Sequence, residues 1–245
     1  MIKKIVIFAG GRGTRMKDLS LDKPKHLIEV GGKPFLHHLL KNVSNAGFRE
    51  IIMVTGYLSL KMEEFIRRYK KEFPFFSAVN QFELFGEEKY GTLMPLLAVK
   101  DIVKDEQFAA VMGDNLYSLD DLRNFQTLGD SYCYVGGYRV ADPAKYGTIV
   151  AGEDNLLIRI DERNPNPVSN RINSGMYKFT PEIYEAAEKV GLSPRGEYEI
   201  TDALSLLAKR QKVKVTDLKN FWLDFGKPED VGKMTLFLKR NSLGK

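Results

Sequence analysis

The sequence predicts a doubly wound α/β fold: a mainly parallel sheet covered by helices on both faces, with a β-rich insertion in the second half. Three observations carry this. Short apolar runs alternate with helix-length amphipathic segments through the first half, the pattern of a parallel sheet buried on both sides. A Gly-rich loop directly follows the first run, where an open sheet meets a ligand beyond the carboxyl ends of its strands. In the second half, strand-like segments crowd together with turn residues between them.

The elements follow in order. Residues 2–8 contain Ile5-Val6-Ile7-Phe8, a run too short for the core of a secretion signal and read as a buried strand. Residues 50–54 and 108–112 read the same way. Residues 34–46, 59–72 and 119–128 carry apolar side chains at helical spacing. Strands are expected at 131–138, 147–151, 156–161 and 173–179, with Asn164-Pro165-Asn166-Pro167 marking a loop. Helices are expected at 181–189, 199–210 and 228–239, the last opening on Pro228, a favoured first-turn residue. No repeat, low-complexity tract or linker divides residues 1–245, which are read as one unit.

Composition narrows the classes of function. The chain has 245 residues, 43% of them hydrophobic and 28% charged, as in a soluble globular protein. No apolar run approaches the ~20 residues of a membrane span. The net charge of +5 suits phosphorylated ligands, but lysines and arginines alternate with acids. The densest run, Arg67-Arg68-Tyr69-Lys70-Lys71, is flanked by glutamates and reads as a solvated helix face, which argues against nucleic acid. Cys133 is the single cysteine, expected as a buried hydrophobe in a reducing, cytoplasmic setting. His26, His37 and His38 are expected in packing or surface roles.

The first strand runs into Ala9-Gly10-Gly11-Arg12-Gly13-Thr14-Arg15-Met16. Glycines let backbone approach a ligand, and their N–H groups cradle phosphate oxygens. Arg15 adds a planar donor fork for the same anion. A Walker loop would need Lys and Ser/Thr after its last glycine, and a dinucleotide fingerprint a glycine where Met16 stands.

This G-x-G-T-R stretch, then Pro24-Lys25 and Gly32-Lys33-Pro34, resembles the signature of the sugar-1-phosphate nucleotidyltransferase (NDP-sugar pyrophosphorylase) family. Glucose-1-phosphate thymidylyltransferases and mannose-1-phosphate guanylyltransferases are members. The resemblance continues in register through Gly91-Thr92, Gly113-Asp114-Asn115, Tyr146-Gly147, Glu162, Asn173-Ser174-Gly175, Glu197-Tyr198-Glu199-Ile200-Thr201-Asp202 and Trp222-Leu223-Asp224-Phe225-Gly226. It implies a Rossmann-like sheet, a nucleotide-binding part over about residues 1–130, a sugar-binding part over about 131–226, and a closing helix.

The resemblance also implies a reaction. A phosphate oxygen of a sugar 1-phosphate attacks the α-phosphorus of a nucleoside triphosphate, and pyrophosphate leaves. Glucose 1-phosphate with dTTP or UTP is the expected pair. Mannose 1-phosphate with GTP, or a cytidylyltransferase acting on a sugar or polyol phosphate, are alternatives. A non-catalytic sugar-nucleotide-binding regulator is the rival from another class, opposed by the intact set Arg15, Lys25, Asp114 and Asp224. Arg15 and Lys25 are the implied catalytic cations. Ala9, Gly10, Gly11, Gly13, Thr14, Gln81, Gly91 and Thr92 are the implied nucleotide contacts. Gly147, Glu162, Arg163, Asn173 and Glu197 are the implied sugar-phosphate contacts, with Thr201 a weaker candidate that suits a cap. Asp114 and Asp224 are the implied Mg²⁺ ligands, carboxylates being suited to a hard cation. A homo-oligomer is compatible with the sequence.

Three departures from the family pattern leave points open. Arg163-Asn164 stands where Lys-Pro is usual, and Leu93-Met94-Pro95 where small residues are usual. The stretch from Asn80 to Tyr90 is longer than usual, so Gln81, Glu83 and Glu87 all remain candidates for reading the base.

Overall fold

The computed structural model describes residues 1–74 and 76–242. Its nine-stranded sheet comprises β1 (Lys4–Phe8), β2 (Glu50–Thr55), β3 (Phe76–Asn80), β4 (Phe108–Met112), β5 (Cys133–Arg139), β6 (Gly147–Ala151), β7 (Leu157–Glu162), β8 (Arg171–Phe179) and β9 (Val213–Asp217). The order is β7-β6-β8-β4-β1-β2-β3, with β5 paired to β8 and β9 to β5. Strands β3, β2, β1 and β4 form a parallel block. Strand β8 runs antiparallel to β4, β5 and β6. The β-rich second half therefore continues the same sheet.

Alternation along the parallel strands builds two cores, because successive side chains point to opposite faces. Ile5, Ile7, Ile51, Met53, Ala109 and Val111 face one, with the helices Phe35–Ala46, Ser59–Tyr69 and Leu119–Gln126 over them. Val6, Phe8, Ile52, Val54, Phe108 and Ala110 face the other, under the helices Met94–Ala98, Glu182–Ala187 and Ile200–Ala208. In the last of these, Ile200, Ala203, Leu204, Leu207 and Ala208 make the buried helical stripe. Among the described residues no helix is long and apolar enough to cross a membrane.

Strands β3 and β9 are additions to the predicted set, and helices 59–72, 181–189 and 199–210 are shorter than expected, at Ser59–Tyr69, Glu182–Ala187 and Ile200–Ala208. Both added strands lie at sheet margins, where polar side chains interrupt the apolar run. The sequence also concealed a two-stranded ribbon that pairs Asn115–Tyr117 with Trp222–Asp224. The ribbon is pinned to β8 through the Ser174 carbonyl, which accepts from the Trp222 indole at 2.9 Å and the Tyr117 hydroxyl at 3.0 Å. Buried Asp121 accepts from the amides of Lys219 and Asn220 at 2.9 and 3.0 Å, fixing where the chain enters the ribbon.

Candidate active site

The carboxyl ends of the parallel strands open onto a cavity of roughly 410 Å³. Gly10, Gly11, Gly13, Thr14, Arg15, Lys25, Gln81, Gly91, Thr92, Asp114, Arg163 and Glu197 line it. Residues from the glycine-rich loop, the strand ends and the second-half loops thus line one cavity. Two glycines are demanded by space. Gly13 has φ 67°, and a Cβ there would lie 3.2 Å from that of Lys25. A Cβ on Gly10 would fall 2.6 Å from Nε2 of Gln81. Ala9 is different from its neighbours. Its side chain is buried and its amide donates to Val54 at 2.8 Å, so it supports the loop from behind.

Lys25 sits at the start of the turn Lys25–Leu27 and forms an ion pair with Asp114. Its neighbour His26 also lines the cavity; burial, then the Lys25 charge, push its ring down to about 3, so it is neutral at physiological pH. Asp114 follows β4 after one residue, Gly113. Asp224 ends the ribbon strand paired with Asn115, and the Phe225 amide donates to the Asp114 carbonyl at 2.8 Å. The ribbon therefore brings together two carboxylates that lie far apart in sequence. Phe225 is clamped beyond them by stacking on Phe35, centroids 4.4 Å apart. Burial alone would raise the Asp114 carboxyl; the Lys25 ammonium, with Arg15, holds it below the usual carboxylate range. Burial and the Asp114 charge push Asp224 up to about 6.

Among the described residues no three His, Cys, Asp or Glu side chains are gathered for a metal. The pair nevertheless suits magnesium, which is held by one or two carboxylates while substrate phosphates and waters complete its shell. Asp224 resists ionising beside Asp114, and a divalent cation between two such groups reverses that preference.

The three candidates for reading the base separate cleanly. Gln81 is 2% exposed, lines the cavity, and its Oε1 is buried without a partner. Glu83 accepts from the Asn80 amide at 2.9 Å on the outside of its helix. Glu87 is exposed and paired with Arg12 at 3.3 Å.

From the second half of the chain, Arg163 and Glu197 reach the cavity wall. Arg163 adopts φ 47°, a left-handed conformation uncommon for a side chain of this size, and its amide donates to Tyr146 at 3.2 Å. Glu162 and Gly147 stand together at the β6–β7 pairing and are not among the residues lining the cavity. Glu162 is open to solvent along one flank, yet partial burial and the Glu199 charge raise its carboxyl. Asn173 is engaged internally: its amide donates to the Tyr177 hydroxyl at 2.8 Å and accepts from the Gly175 amide at 3.0 Å. Sequence reasoning missed Glu199 and Arg195 as a unit. Glu199 is 4% exposed, accepts from Thr92 at 3.2 Å and binds Arg195 at 2.5 Å. The repeated glutamate of Glu197-Tyr198-Glu199 hinted at it, but a helix-start acid has an ordinary capping reading. Thr201 is buried beneath, at 3% exposure.

The histidines other than His26 pack or cap. His37 meets Glu72 at 2.9 Å beside Tyr69 and Phe73, and His38 meets the Val30 carbonyl at 2.8 Å. Cys133 lies beside Thr180, and burial raises its thiol despite that hydrogen bond.

Comparison with known proteins agrees with this geometry. The nucleotidyl transferase family profile matches residues 4–241. A bifunctional GlmU protein of Methanocaldococcus jannaschii is 36% identical over 95% of this chain, which spans only 53% of that relative. A UTP–glucose-1-phosphate uridylyltransferase of Haloferax volcanii is 33% identical over 92% of both chains. A crystal structure of a UDP-glucose pyrophosphorylase complexed with UDP-glucose superposes with a TM-score of 0.84 at 24% identity, covering 98% of this chain and 100% of that one, which shows a common fold. The chain belongs to the nucleotidyl transferase family.

Proposed function

We propose that this protein is a sugar-1-phosphate nucleotidylyltransferase that joins a nucleoside triphosphate to a sugar 1-phosphate and releases pyrophosphate. One observation carries the reading: the glycine loop with Arg15, the Lys25–Asp114 pair, Gln81, and the Arg163–Glu197 wall all face a single cavity. Residues up to about 130 hold the nucleotide in this reading, and residues 131–226 hold the sugar phosphate.

All reactants are anionic, so positioning and charge neutralisation supply the catalysis. Arg15 and the loop amides from Gly11 to Thr14 bind the β- and γ-phosphates and stabilise the departing pyrophosphate. Lys25 exchanges Asp114 for the α-phosphate and the incoming phosphate, a role suited to a mobile point charge. Arg163 clamps the sugar phosphate with its planar fork. Glu162 and Glu197 accept hydrogen bonds from sugar hydroxyls. The attacking phosphate is already ionised, so no side chain needs to act as base. Asp114 and Asp224 would hold magnesium, which supplies charge neutralisation between the two anions.

Gln81 points to the nucleobase. A buried acceptor without a partner calls for a donor from the ligand; a uracil or thymine N3–H beside a carbonyl supplies one, as does a guanine N1–H beside its O6. UTP or dTTP with glucose 1-phosphate is the pair proposed here, on the family resemblance. A matrix of triphosphates against phosphorylated acceptors, read by pyrophosphate release, tests it. Turnover confined to GTP with mannose 1-phosphate, or to a non-sugar phosphate, would displace this pair; no release with any would remove the reaction.

A further inference from the structure

The phosphate loop is tied across the cavity mouth to the segment that follows the helix Gln81–Phe85. Nη2 of Arg12 pairs with Oε2 of Glu87 at 3.3 Å. The same guanidinium lies 5.7 Å from the centroid of the Tyr90 ring. The Arg12 amide meets the Tyr90 hydroxyl at 3.4 Å. Gly11 and Gly13, on either side of Arg12, both line the cavity, as does Tyr90. The Arg12 backbone thus runs along the phosphate wall while its side chain is drawn outward.

Magnitudes decide what these contacts can hold. The two charged side chains remain 46% and 70% exposed, and an ion pair this open to water contributes little. The amide–hydroxyl contact is at the long limit of a hydrogen bond. An arginine–phosphate bond is charge-assisted on both sides and can be bidentate, so it outcompetes both. Arg12 lies between two glycines that line the cavity, and only exposed contacts hold its side chain where it is. Glu87, unpaired, would repel an arriving polyanion; paired with Arg12 it is masked.

We infer that Arg12 is a further binding residue for the terminal phosphates of the triphosphate, parked on Glu87 and Tyr90 until the triphosphate takes it. This rests on the nucleotidyltransferase reading above.

The test uses the full chain, inorganic triphosphate as the probe, and titration calorimetry in chelator, so that it does not depend on turnover. Arg12→Gln should weaken binding about tenfold, the loss of one charge-assisted bond, and should flatten its salt dependence. Arg12→Lys should retain more of the affinity. Glu87→Gln should tighten binding about threefold by removing the competing partner, and the double variant should resemble Arg12→Gln. Thermal midpoints should stay within a few degrees. Unchanged affinity in Arg12→Gln overturns the inference, as does weakening in Glu87→Gln, which would make the pair a strut of the loop. Failure of the parent to bind the probe overturns it as well. Probe binding with the Arg12 effect, but no pyrophosphate release with any substrate pair, would leave Arg12 in place and remove the reaction instead.

Discussion

The two sides of the cavity are built differently. On the phosphate side the wall is backbone and cations with few internal partners: Gly11, Gly13 and Thr14, an exposed Arg15, and Gln81 with an unpaired oxygen. On the sugar side the polar groups are already bonded to one another: Glu199 to Thr92 and Arg195, Asn173 to Tyr177 and Gly175. One side keeps its hydrogen-bonding capacity for a ligand, and the other uses it to hold shape. Removing a group from the first should lose a direct contact with substrate. Removing one from the second should disturb a network, with non-additive consequences.

The boundary between the sides is the Asp114–Asp224 pair, where the largest effects are expected. Asp114→Asn and Asp224→Asn should each lower kcat at least roughly a hundredfold, since charge stabilisation by a held metal is worth several kcal/mol. The double variant should be little worse than the worse single one, because residues acting as a unit do not add. Chelation should abolish turnover and magnesium restore it. Losses that multiply independently would separate the two carboxylates into different jobs.

Arg163 comes next, as the side chain of the sugar-side wall that keeps a charge for the ligand. Arg163→Ala should raise KM for the sugar phosphate about ten- to a hundredfold, the worth of a charge-assisted bond, and move KM for the triphosphate much less. Equal KM values in variant and parent would reduce Arg163 to a member of its loop, with its left-handed backbone serving the turn alone.

The same contrast explains what the sequence made legible. Strands β1, β2 and β4 stood out because both their faces are buried and their side chains are almost all apolar. Strand β9 reads Val213-Lys214-Val215-Thr216-Asp217, half-buried and too polar to register. The phosphate loop was readable because its glycines are contiguous and answer a local demand of geometry. The sugar network was not, because Thr92, Arg195 and Glu199 meet only through the fold. Asp114 and Asp224 could be named from family resemblance, but the ribbon that joins them left no periodicity to read. Similarly, nothing local in the sequence marked Gln81 as the buried one beside Glu83 and Glu87.

Gln81 tests the phosphate-side reading at smaller scale. Gln81→Ala should reduce kcat/KM with the preferred triphosphate by a few- to about tenfold, one neutral hydrogen bond being worth roughly 0.5–1.5 kcal/mol. The loss should be smaller with poorer triphosphates, so that preference among bases narrows. A uniform loss across all bases would mean that Gln81 only supports Gly10, against which it is packed.

The smallest effect concerns stability, and it has the opposite sign from the activity change in the same variant. In the metal-free protein, burial and the Asp114 charge raise Asp224 from 3.8 to about 6. The folded state therefore holds a proton that the unfolded state has released between those values. The associated stability is fully present below 3.8, and it is lost as pH rises through about 6. Above that, both states are ionised and the folded one bears the full repulsion. The gap sets a ceiling near ~3 kcal/mol, and water reaching this half-buried carboxylate lowers it to on the order of 1–2 kcal/mol. Asp224→Asn removes the charge and keeps the shape. In chelator at pH 7.5 it should raise Tm by about 2–6 °C. The advantage should shrink through pH 5 and vanish near pH 4, where the parent carboxyl is neutral when folded. Magnesium should stabilise the parent and leave the variant unchanged. A variant no more stable than the parent at pH 7.5, or equally advantaged at both ends of the range, would show that the two carboxylates do not compete, and would take with it the electrostatic reason for placing a cation between them.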